Sequence, residues 1–330
     1  MKNQNVIWAL IALVLLLALN AAFTPGFFHL EMRDGHLYGS LVDILDRAAP
    51  VTLMALGMTL VIATGGIDLS VGSLMAISGA TAALALSMGY SGPVALLLAL
   101  LSGLVAGLIN GSLVAFLGIQ PIVATLILMV SGRGVAQLIT NGQPLTFNNK
   151  FIDVFGNGFF LTLPFSVTVV MIALIIIAAL TRRTALGLYL ESVGNGPLAS
   201  RLSGLPVPGV LLFAYATSGV CAALAGVVAA ADIKAADSNT AGLYAELDAI
   251  LAVVIGGTAL TGGRFTLIGS VIGALLMQAM TTTILARGIQ MQWTQVVKAS
   301  VILIVCILQS PAVREKILAP MTRRRRRAQQ

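Results

Sequence analysis

The chain has 330 residues, of which 58% are hydrophobic and only 9% are charged, and its mean hydropathy is +0.98. A soluble globular protein is typically about 45–50% apolar and about 25% charged. A soluble core of this size could not hide so much apolar surface. The composition therefore excludes an ordinary soluble domain and indicates a protein that lies in a lipid bilayer.

Long apolar runs, such as 10–19 and 167–180, predict membrane-spanning helices, which satisfy their own backbone hydrogen bonds in lipid. A spanning helix needs about 20 mostly apolar residues. We therefore expect an all-α, polytopic transmembrane helical bundle over residues 1–312, with about ten spans and with re-entrant or broken helices. The predicted spans are 6–23, 48–64, 72–88, 94–117, 121–140, 165–180, 209–231, 244–261, 266–286 and 294–312.

The first candidate functional residues lie between the second and third predicted spans. Asp68 follows Gly65 and Gly66 and precedes Ser70. An ionisable group at membrane depth is costly and usually faces a cavity or a partner, whereas a short polar side chain before a helix is also typical of a cap. A cap is the simpler interpretation of Asp68, and contact with a transported solute is the functional one.

Arg133 lies within the fifth predicted span, between two glycines. A buried arginine there needs an acidic partner, or it reaches along the helix toward the membrane surface. We expect pairing with an acidic residue elsewhere in the chain, although the sequence does not name that residue.

The polar loop 181–208 carries the next candidate element. Pro197 suits the first position of a short helix, and Gly204 suits its end. Leu198, Leu202 and Leu205 then share one face at helical spacing. Such an amphipathic helix lies either in the lipid interface or in a groove of a partner protein.

The basic residues predict the orientation in the membrane, because lysine and arginine collect on the cytoplasmic side. Residues 313–330 carry seven basic side chains and one acidic side chain, which is +6 of the net charge of +7. We expect this tail and the loop 181–208 to be cytoplasmic and the acidic loop 24–47 to be outside. Ten spans then place both termini in the cytoplasm.

The arginine run at 323–327 has two candidate partners. Anionic lipid is favoured for a basic tail beside a membrane span. Nucleic acid is the alternative, but no aromatic side chains lie near the run to stack on bases, so we expect no nucleic-acid partner.

A short pattern occurs twice. Thr-Gly-Gly at 64–66, followed five residues later by Gly-Ser at 72–73, recurs at 261–263 and 269–270, an offset of 197 residues. Transporters are often built from repeats with helix breaks at corresponding positions. Six predicted spans between the copies favour a parallel relation, and one re-entrant segment would make the relation inverted. Chance among the 34 glycines is the alternative.

Several kinds of chemistry have no support in the sequence. It contains no phosphate loop, since no lysine follows a glycine. It has two histidines and two cysteines, with no spacing suited to a metal. We therefore expect no catalytic residue, no metal and no cofactor, and any nucleotide energy must come from another chain.

These residues together resemble a known family, the ribose-type permeases of bacterial sugar importers of the ATP-binding-cassette (ABC) class. The resemblance covers about residues 45–310, and the first motif is specific. Its motifs are TGGIDLSVGS (64–73), QPIVATL (120–126) with RG (133–134), VGN (193–195) with ASRLSG (199–204), VIGG (254–257) and TGGR (261–264). Three stretches are similar to members that import galactofuranose: ILDRAAP (44–50), GRGVAQLIT (132–140) and ELDAILAVVI (246–255).

The resemblance implies an inner-membrane permease subunit that carries a monosaccharide, galactofuranose or a related sugar, into the cytoplasm. Its implied partners are ATPase subunits, a second permease chain in a homo- or heterodimer, and a periplasmic sugar-binding protein. It implies substrate-pathway roles for Gly65, Gly66, Asp68, Ser70 and Arg133. It makes 181–208 the coupling loop to the ATPase, with contacts from Gly194, Asn195, Leu198, Arg201, Leu202 and Gly204.

Two other functions remain open on the sequence alone. An ATP-independent secondary transporter or channel for a small polar solute would also have repeats and broken helices, but such carriers usually bury more ionisable groups. A branched-chain amino-acid permease of the same superfamily would be expected to need charged pore residues, of which the spans offer few.

Overall fold

The computed structural model describes residues 2–23, 26–33, 35–288, 290 and 293–309. The predicted tail 313–330 and the end of the tenth predicted span lie outside these residues. In the described part, the predicted helical bundle is confirmed. The helices are α1 (Lys2–Phe23), α2 (Ser40–Ala63), α3 (Val71–Ser87), α4 (Gly92–Ala115), α5 (Pro121–Thr140), α6 (Lys150–Asn157), α7 (Phe165–Arg183), α8 (Leu186–Asn195), α9 (Pro197–Leu202), α10 (Val207–Ile233), α11 (Ala245–Ile255), α12 (Leu267–Ala286) and α13 (Thr294–Gln309).

Every predicted span overlaps one of these helices. Seven of the described helices are long and apolar enough to cross a membrane: α1, α2, α4, α5, α7, α10 and α12. The other three predicted spans contain shorter helices, of which α3 has 17 residues and α11 has 11. A helix of 11 residues is only about 16 Å long, half the thickness of a bilayer core.

Local sequence explains where several helices begin and end. Proline occupies the first turn of α4, α5, α9 and α10, where its missing N–H costs no helical hydrogen bond. Asn141 and Lys234 end α5 and α10 in the left-handed conformation. Two short helices, α6 and α8, lie in segments that hydropathy had assigned only to loops.

Glycines set the close packing at the centre of the bundle. The most buried long helices are α2 and α10, and α4 packs closely against α10. A Cβ atom at Gly103 would lie 2.4 Å from the carbonyl oxygen of Gly219, and one at Gly219 would lie 2.1 Å from that of Gly103. Small residues allow such backbone contact between membrane helices. Large apolar side chains remain exposed on α1, α4 and α5, where lipid would cover them.

The two ends of the bundle differ in structure. At the end that we call the α6 end, α6 and three antiparallel strand pairs cover the bundle. The pairs are β1 (Glu31–Arg33) with β2 (His36–Tyr38), β3 (Leu145–Thr146) with β6 (Ala235–Ala236), and β4 (Phe159–Phe160) with β5 (Leu163–Pro164). At the other end, the α9 end, lie α8, α9 and the connections 64–70 and 256–266.

The two copies of the repeat meet at the α9 end. The N–H of Gly263 donates to the carbonyl oxygen of Ala63 at 2.9 Å. One helical turn further into the bundle, the hydroxyls of Thr59 in α2 and Ser270 in α12 lie 2.7 Å apart. Both copies therefore turn at the same end, which is the parallel arrangement and not the inverted one.

Candidate functional site

The connection between α2 and α3 and the connection between α10 and α11 both enter the bundle. A Cβ atom at Gly72, in the first turn of α3, would lie 2.4 Å from both the carbonyl oxygen of Gly242 and Oε2 of Glu246. The Glu246 carboxylate thus lies at the N-terminus of α3, where the helix dipole favours a negative charge. Broken helices of this kind allow polar groups at membrane depth.

Arg133 holds the segment before α11 in place. Its guanidinium donates to the carbonyl oxygens of Ser238, at 3.2 Å, and of Ala241. Glu246 and Asp237 are near enough to attract its charge, but no described carboxylate forms an ion pair with it. The expected acidic partner is therefore replaced mainly by backbone carbonyls, which a sequence pattern does not reveal.

Asp68 lies in the interior and is fully buried. Its Oδ1 accepts from the N–H of Ser70 at 3.0 Å and from the Ser70 hydroxyl at 2.6 Å. Its Oδ2 accepts from the hydroxyl of Ser218 in α10 at 2.8 Å. Asn110 in α4 donates to the Ser70 hydroxyl at 2.8 Å. The carboxylate therefore links Ser70, the N-cap residue of α3, to α10 directly and to α4 through the Ser70 hydroxyl, but no side chain caps the free N–H groups of α3 itself.

Two buried atoms beside this network have no hydrogen-bond partner within the described residues, the Oδ1 atom of Asn110 and the hydroxyl of Tyr215. The Tyr215 hydroxyl lies against Gly66, where a Cβ atom would approach it to 2.7 Å. Burying such atoms without partners costs stability. The hydrogen-bonding capacity of Asn110 and Tyr215 is therefore not fully used in the conformation described.

A cavity of about 700 Å³ opens at the α6 end, between α2, α3, α10 and α12. Four carboxylates and one guanidinium line it, from Asp43, Asp46, Asp232, Asp237 and Arg47. Uncharged hydrogen-bonding side chains on its walls are Thr240, Gln278, Thr281 and Thr282. The volume is in the range of about 300–1,000 Å³ that is usual for small-molecule sites.

The cavity carboxylates are positioned by their own neighbours. Asp46 in α2 is half-buried and accepts a hydrogen bond from Ser166 at the start of α7. Asp237 accepts from the Thr240 hydroxyl and from the N–H of Asn239 at 3.0 Å. The hydrogen bond from Thr240 lowers the pKa of Asp237 below its ordinary value. Asp237 therefore carries a negative charge at neutral pH.

The cavity does not contain the residues that the sequence pointed to. Gly65, Gly66, Asp68, Ser70 and Arg133 are absent from its walls, and a substrate-pathway role for them stays a prediction. The sequence did carry a signal for two lining residues, since Asp43 and Asp46 are three apart and share a helix face. Both were counted only as charges that set the orientation.

The predicted short helix in 181–208 is confirmed as α9. Gly204 ends it with a φ of +82°, and the N–H of Leu205 donates back to Ser200 at 3.1 Å. Leu198 and Leu202 are 73% and 81% exposed. Arg201 is also exposed, so this helix presents an uncovered surface of leucines and a cation.

Two other predicted coupling residues, Gly194 and Asn195, lie at the end of α8 and face the repeat. A Cβ atom at Gly194 would lie 1.9 Å from the carbonyl oxygen of Ala63 and 2.4 Å from the N atom of Gly263. The structure therefore separates the six predicted coupling residues into two groups. Those in 198–204 are exposed and lie away from the repeat, whereas Gly194 and the exposed Asn195 lie against Gly263.

A second cavity, of about 620 Å³, lies at the edge of the α9 end. Residues from α1, α7, α8 and the start of α12 line it, including Arg182 and Glu191. It has no lining residue in the connection 64–70 and none in common with the cavity at the α6 end.

Comparison with known proteins gives one family and several similar chains. Residues 40–306 match the family described as branched-chain amino acid transport system/permease component. The chain is 55% identical to the galactofuranose transporter permease protein of Escherichia coli K12 over 91% of this chain and 88% of that protein. It is 40% identical to the fructose import permease protein of Bifidobacterium longum, over 98% and 92% of the two chains. It is 37% identical to the ribose import permease protein of E. coli K12, over 92% of each chain. No solved structure matches the chain.

Proposed function

We infer that this chain, which belongs to the family described as branched-chain amino acid transport system/permease component, is the permease subunit of an ABC importer for a monosaccharide. The observation that carries this inference is the likeness, over at least 91% of the chain, to import permeases named for galactofuranose, fructose and ribose. Galactofuranose or a related sugar is the proposed substrate, because the relative at 55% identity carries that name.

The lining of the cavity at the α6 end supports a neutral sugar. Carboxyl oxygens accept hydrogen bonds, so Asp43, Asp46, Asp232 and Asp237 suit a ligand with many hydroxyl donors. Because Arg47 is the only cation among the lining residues, an anionic solute would be repelled.

We further propose that the α6 end faces the periplasm and the α9 end the cytoplasm. Arg182 and Arg183 end α7 at the α9 end, and cytoplasmic ends of spans are rich in arginine. Both termini would then be cytoplasmic, in the bacterial inner membrane. The cavity would be open to the outside, where a periplasmic binding protein would deliver the sugar.

Energy would come from an ATPase subunit that docks on α9. The chain carries no phosphate loop and would not hydrolyse ATP by itself. The exposed Leu198 and Leu202 support docking, because an apolar helix face at a membrane surface needs a partner groove or lipid to cover it. A second permease chain would complete the pathway as a homo- or heterodimer.

The test is uptake of labelled sugars by the chain reconstituted with its ATPase and binding protein. We expect uptake of one or a few neutral monosaccharides that requires ATP inside the vesicles. Uptake by the chain alone, driven by an ion gradient and indifferent to ATP, would replace the proposal by a secondary transporter. Uptake of branched-chain amino acids but of no sugar would replace the substrate.

A further inference from the structure

Gly194 lies where the two copies of the repeat meet, between Ala63, just before the first Thr-Gly-Gly turn (64–66), and Gly263 in the second turn (261–263). Asn195, the next residue, lies against Gly263. A Cβ atom at Gly194 would overlap the carbonyl oxygen of Ala63, just before the first turn, and would lie 2.4 Å from the N atom of Gly263 in the second. A Cβ atom at Gly263 would lie 2.4 Å from Oδ1 of Asn195. Only glycines allow three backbone segments to meet this closely.

The two turns also contact each other. The hydrogen bond from Gly263 to Ala63 joins them, and a Cβ atom at Gly262 would lie 2.7 Å from the N atom of Gly65. Gly65, Gly262 and Gly263 have φ values of +82°, +80° and +88°. This left-handed region disfavours other residues, so both turns depend on glycine for their shape as well as for their contact.

Each turn leads directly to a helix that lines the cavity at the α6 end. The first leads to α3, whose Met75, Ala76 and Gly79 lie on the cavity wall. The second leads to α12, which contributes Gln278 and Thr281 among others. On the other side, α8 leads to α9, which begins two residues after Asn195. The contact therefore lies between the exposed leucines and the cavity.

We propose that Gly194 and Asn195 form, with the two Thr-Gly-Gly turns, the joint that carries movement of α9 to α3 and α12. Gly194 is a positioning residue in this scheme and not a docking contact. A rigid backbone contact transmits displacement because closely packed elements move together. Since Gly194 lies against both Ala63, just before the first turn, and Gly263 of the second, one movement of α8 would reach two walls of the cavity. The proposal rests on the proposed function, because an ATPase must move α9.

The test uses the full complex of permease, ATPase and binding protein in vesicles. A cysteine at position 278 (Gln278→Cys) reports on the cavity through its rate of labelling by a membrane-impermeant maleimide, with the chain lacking this cysteine as the blank. In the otherwise unchanged chain we expect trapping of ATP with vanadate to change the labelling rate. With Gly194→Ala added, we expect the change to disappear while the ATPase still co-purifies. Uptake should fall about 10-fold or more, within the 5–150-fold range of typical coupling effects.

Gly209→Ala is the matched control, because a Cβ atom there has no neighbour nearer than 4.0 Å and the residue is exposed. It should label and transport like the parent chain. Asn195→Ala tests the joint without adding any atom, since it only removes side-chain atoms and creates no overlap. We expect it to insert normally and to lower the number of sugars carried per ATP.

Three results decide between the explanations. Parental labelling and uptake in both Gly194→Ala and Asn195→Ala would overturn the joint. Loss of the ATPase from Gly194→Ala at normal membrane insertion would also overturn it, because Gly194 would then be a docking residue. Failure of the parent complex to take up any sugar with ATP would instead overturn the proposed function. Uptake by the parent complex is therefore measured before any variant is compared with it.

Discussion

The two ends of the bundle handle polar groups in opposite ways. At the α6 end, four carboxylates line an open cavity of about 700 Å³. At the α9 end, the two Thr-Gly-Gly turns pack backbone against backbone, since a Cβ atom at Gly262 would lie 2.7 Å from the N atom of Gly65. Between the ends, Asp68 is fully buried among serines. The chain is thus open on one side and closed on the other.

This difference indicates how one chain provides both a pathway and a gate. A solute needs side chains that can exchange hydrogen bonds, which the α6 end offers. A gate needs contacts that form or break together. Closely packed backbone segments provide such contacts, because a packed interface changes between discrete arrangements and does not deform gradually. On the orientation proposed above, the conformation described would be the one open to the periplasm. The predictions below test each part of this comparison, beginning with the largest expected effect.

The first prediction concerns docking at the closed end. Leu202→Asp places a charge on the exposed face of α9, and we expect the ATPase to bind about 30-fold more weakly or not at all, as for a hot-spot residue. ATP-driven uptake should then fall to background. Co-purification of the ATPase measures the first effect and vesicle uptake the second.

Leu161→Asp is the control for that variant. Leu161 is 80% exposed in the hairpin at the α6 end, so the same chemical change there should leave ATPase binding intact. If Leu202→Asp retains both the ATPase and full uptake, α9 is not the docking helix, and its leucines lie in lipid.

The second prediction concerns Asp68, which is buried between the two ends. Asp68→Ala removes three hydrogen bonds, from Ser70 twice and from Ser218. At about 1 kcal/mol for each bond, the free energy of unfolding should fall by about 3 kcal/mol. Asp68→Asn keeps an acceptor and should lose less. Thermal unfolding of the purified chain measures both variants.

The same pair of variants separates the two interpretations of Asp68. If the role of Asp68 is structural, stability should fall while the order of preference among sugars stays unchanged. If either variant unfolds like the parent chain but changes which sugar is carried, Asp68 contacts the substrate, and the buried layer belongs to the pathway.

The third prediction concerns the open end. Asp46→Asn with Asp232→Asn removes two negative charges from the cavity but keeps the shape of both side chains. We expect the maximal uptake rate to fall about 10-fold, because a hydrogen bond to a charged group contributes about 1.5–3 kcal/mol. The KM should change little, since the binding protein captures the sugar first. A parental uptake rate in the double variant would remove the cavity from the pathway.

Much of the closed end could be predicted from the sequence, because its features are local. The glycine pairs, the repeat and the ends of α9 depend on residues within a few positions of one another. The meeting of Gly194 with Ala63 and Gly263 could not, since it joins segments that are distant in the chain. A helix as short as α11 was also hard to recognise, because hydropathy does not show where the backbone stops being helical.

The open end was predicted less well for a different reason. Its lining residues come from α2, α3, α6, α10, α12 and the connection after α10, and each one alone has an ordinary explanation. Asp43 and Asp46 serve as charges that set the orientation, and Gln278 is a single polar residue in an apolar span. Arg133 was singled out, yet its partners are carbonyl oxygens. A single sequence does not show which distant polar residues share a cavity.

The last prediction concerns pH at the open end and has the smallest effect. The pKa of Asp237 is lowered, mainly by the hydrogen bond from Thr240. Because the folded pKa lies below the unfolded value of about 3.9, the ionised group stabilises the fold above that pH, and this contribution is lost as the pH falls through the folded pKa. The protection factors of the amides in 237–244, which divide out the intrinsic pH dependence of exchange, should therefore fall below about pH 4. In Asp237→Asn these protection factors should already be low at neutral pH and should not change over this pH range. Equal protection in both chains at neutral pH would show that the segment is held by its other hydrogen bonds, from Arg133 to Ser238 and between Thr140 and Ser238.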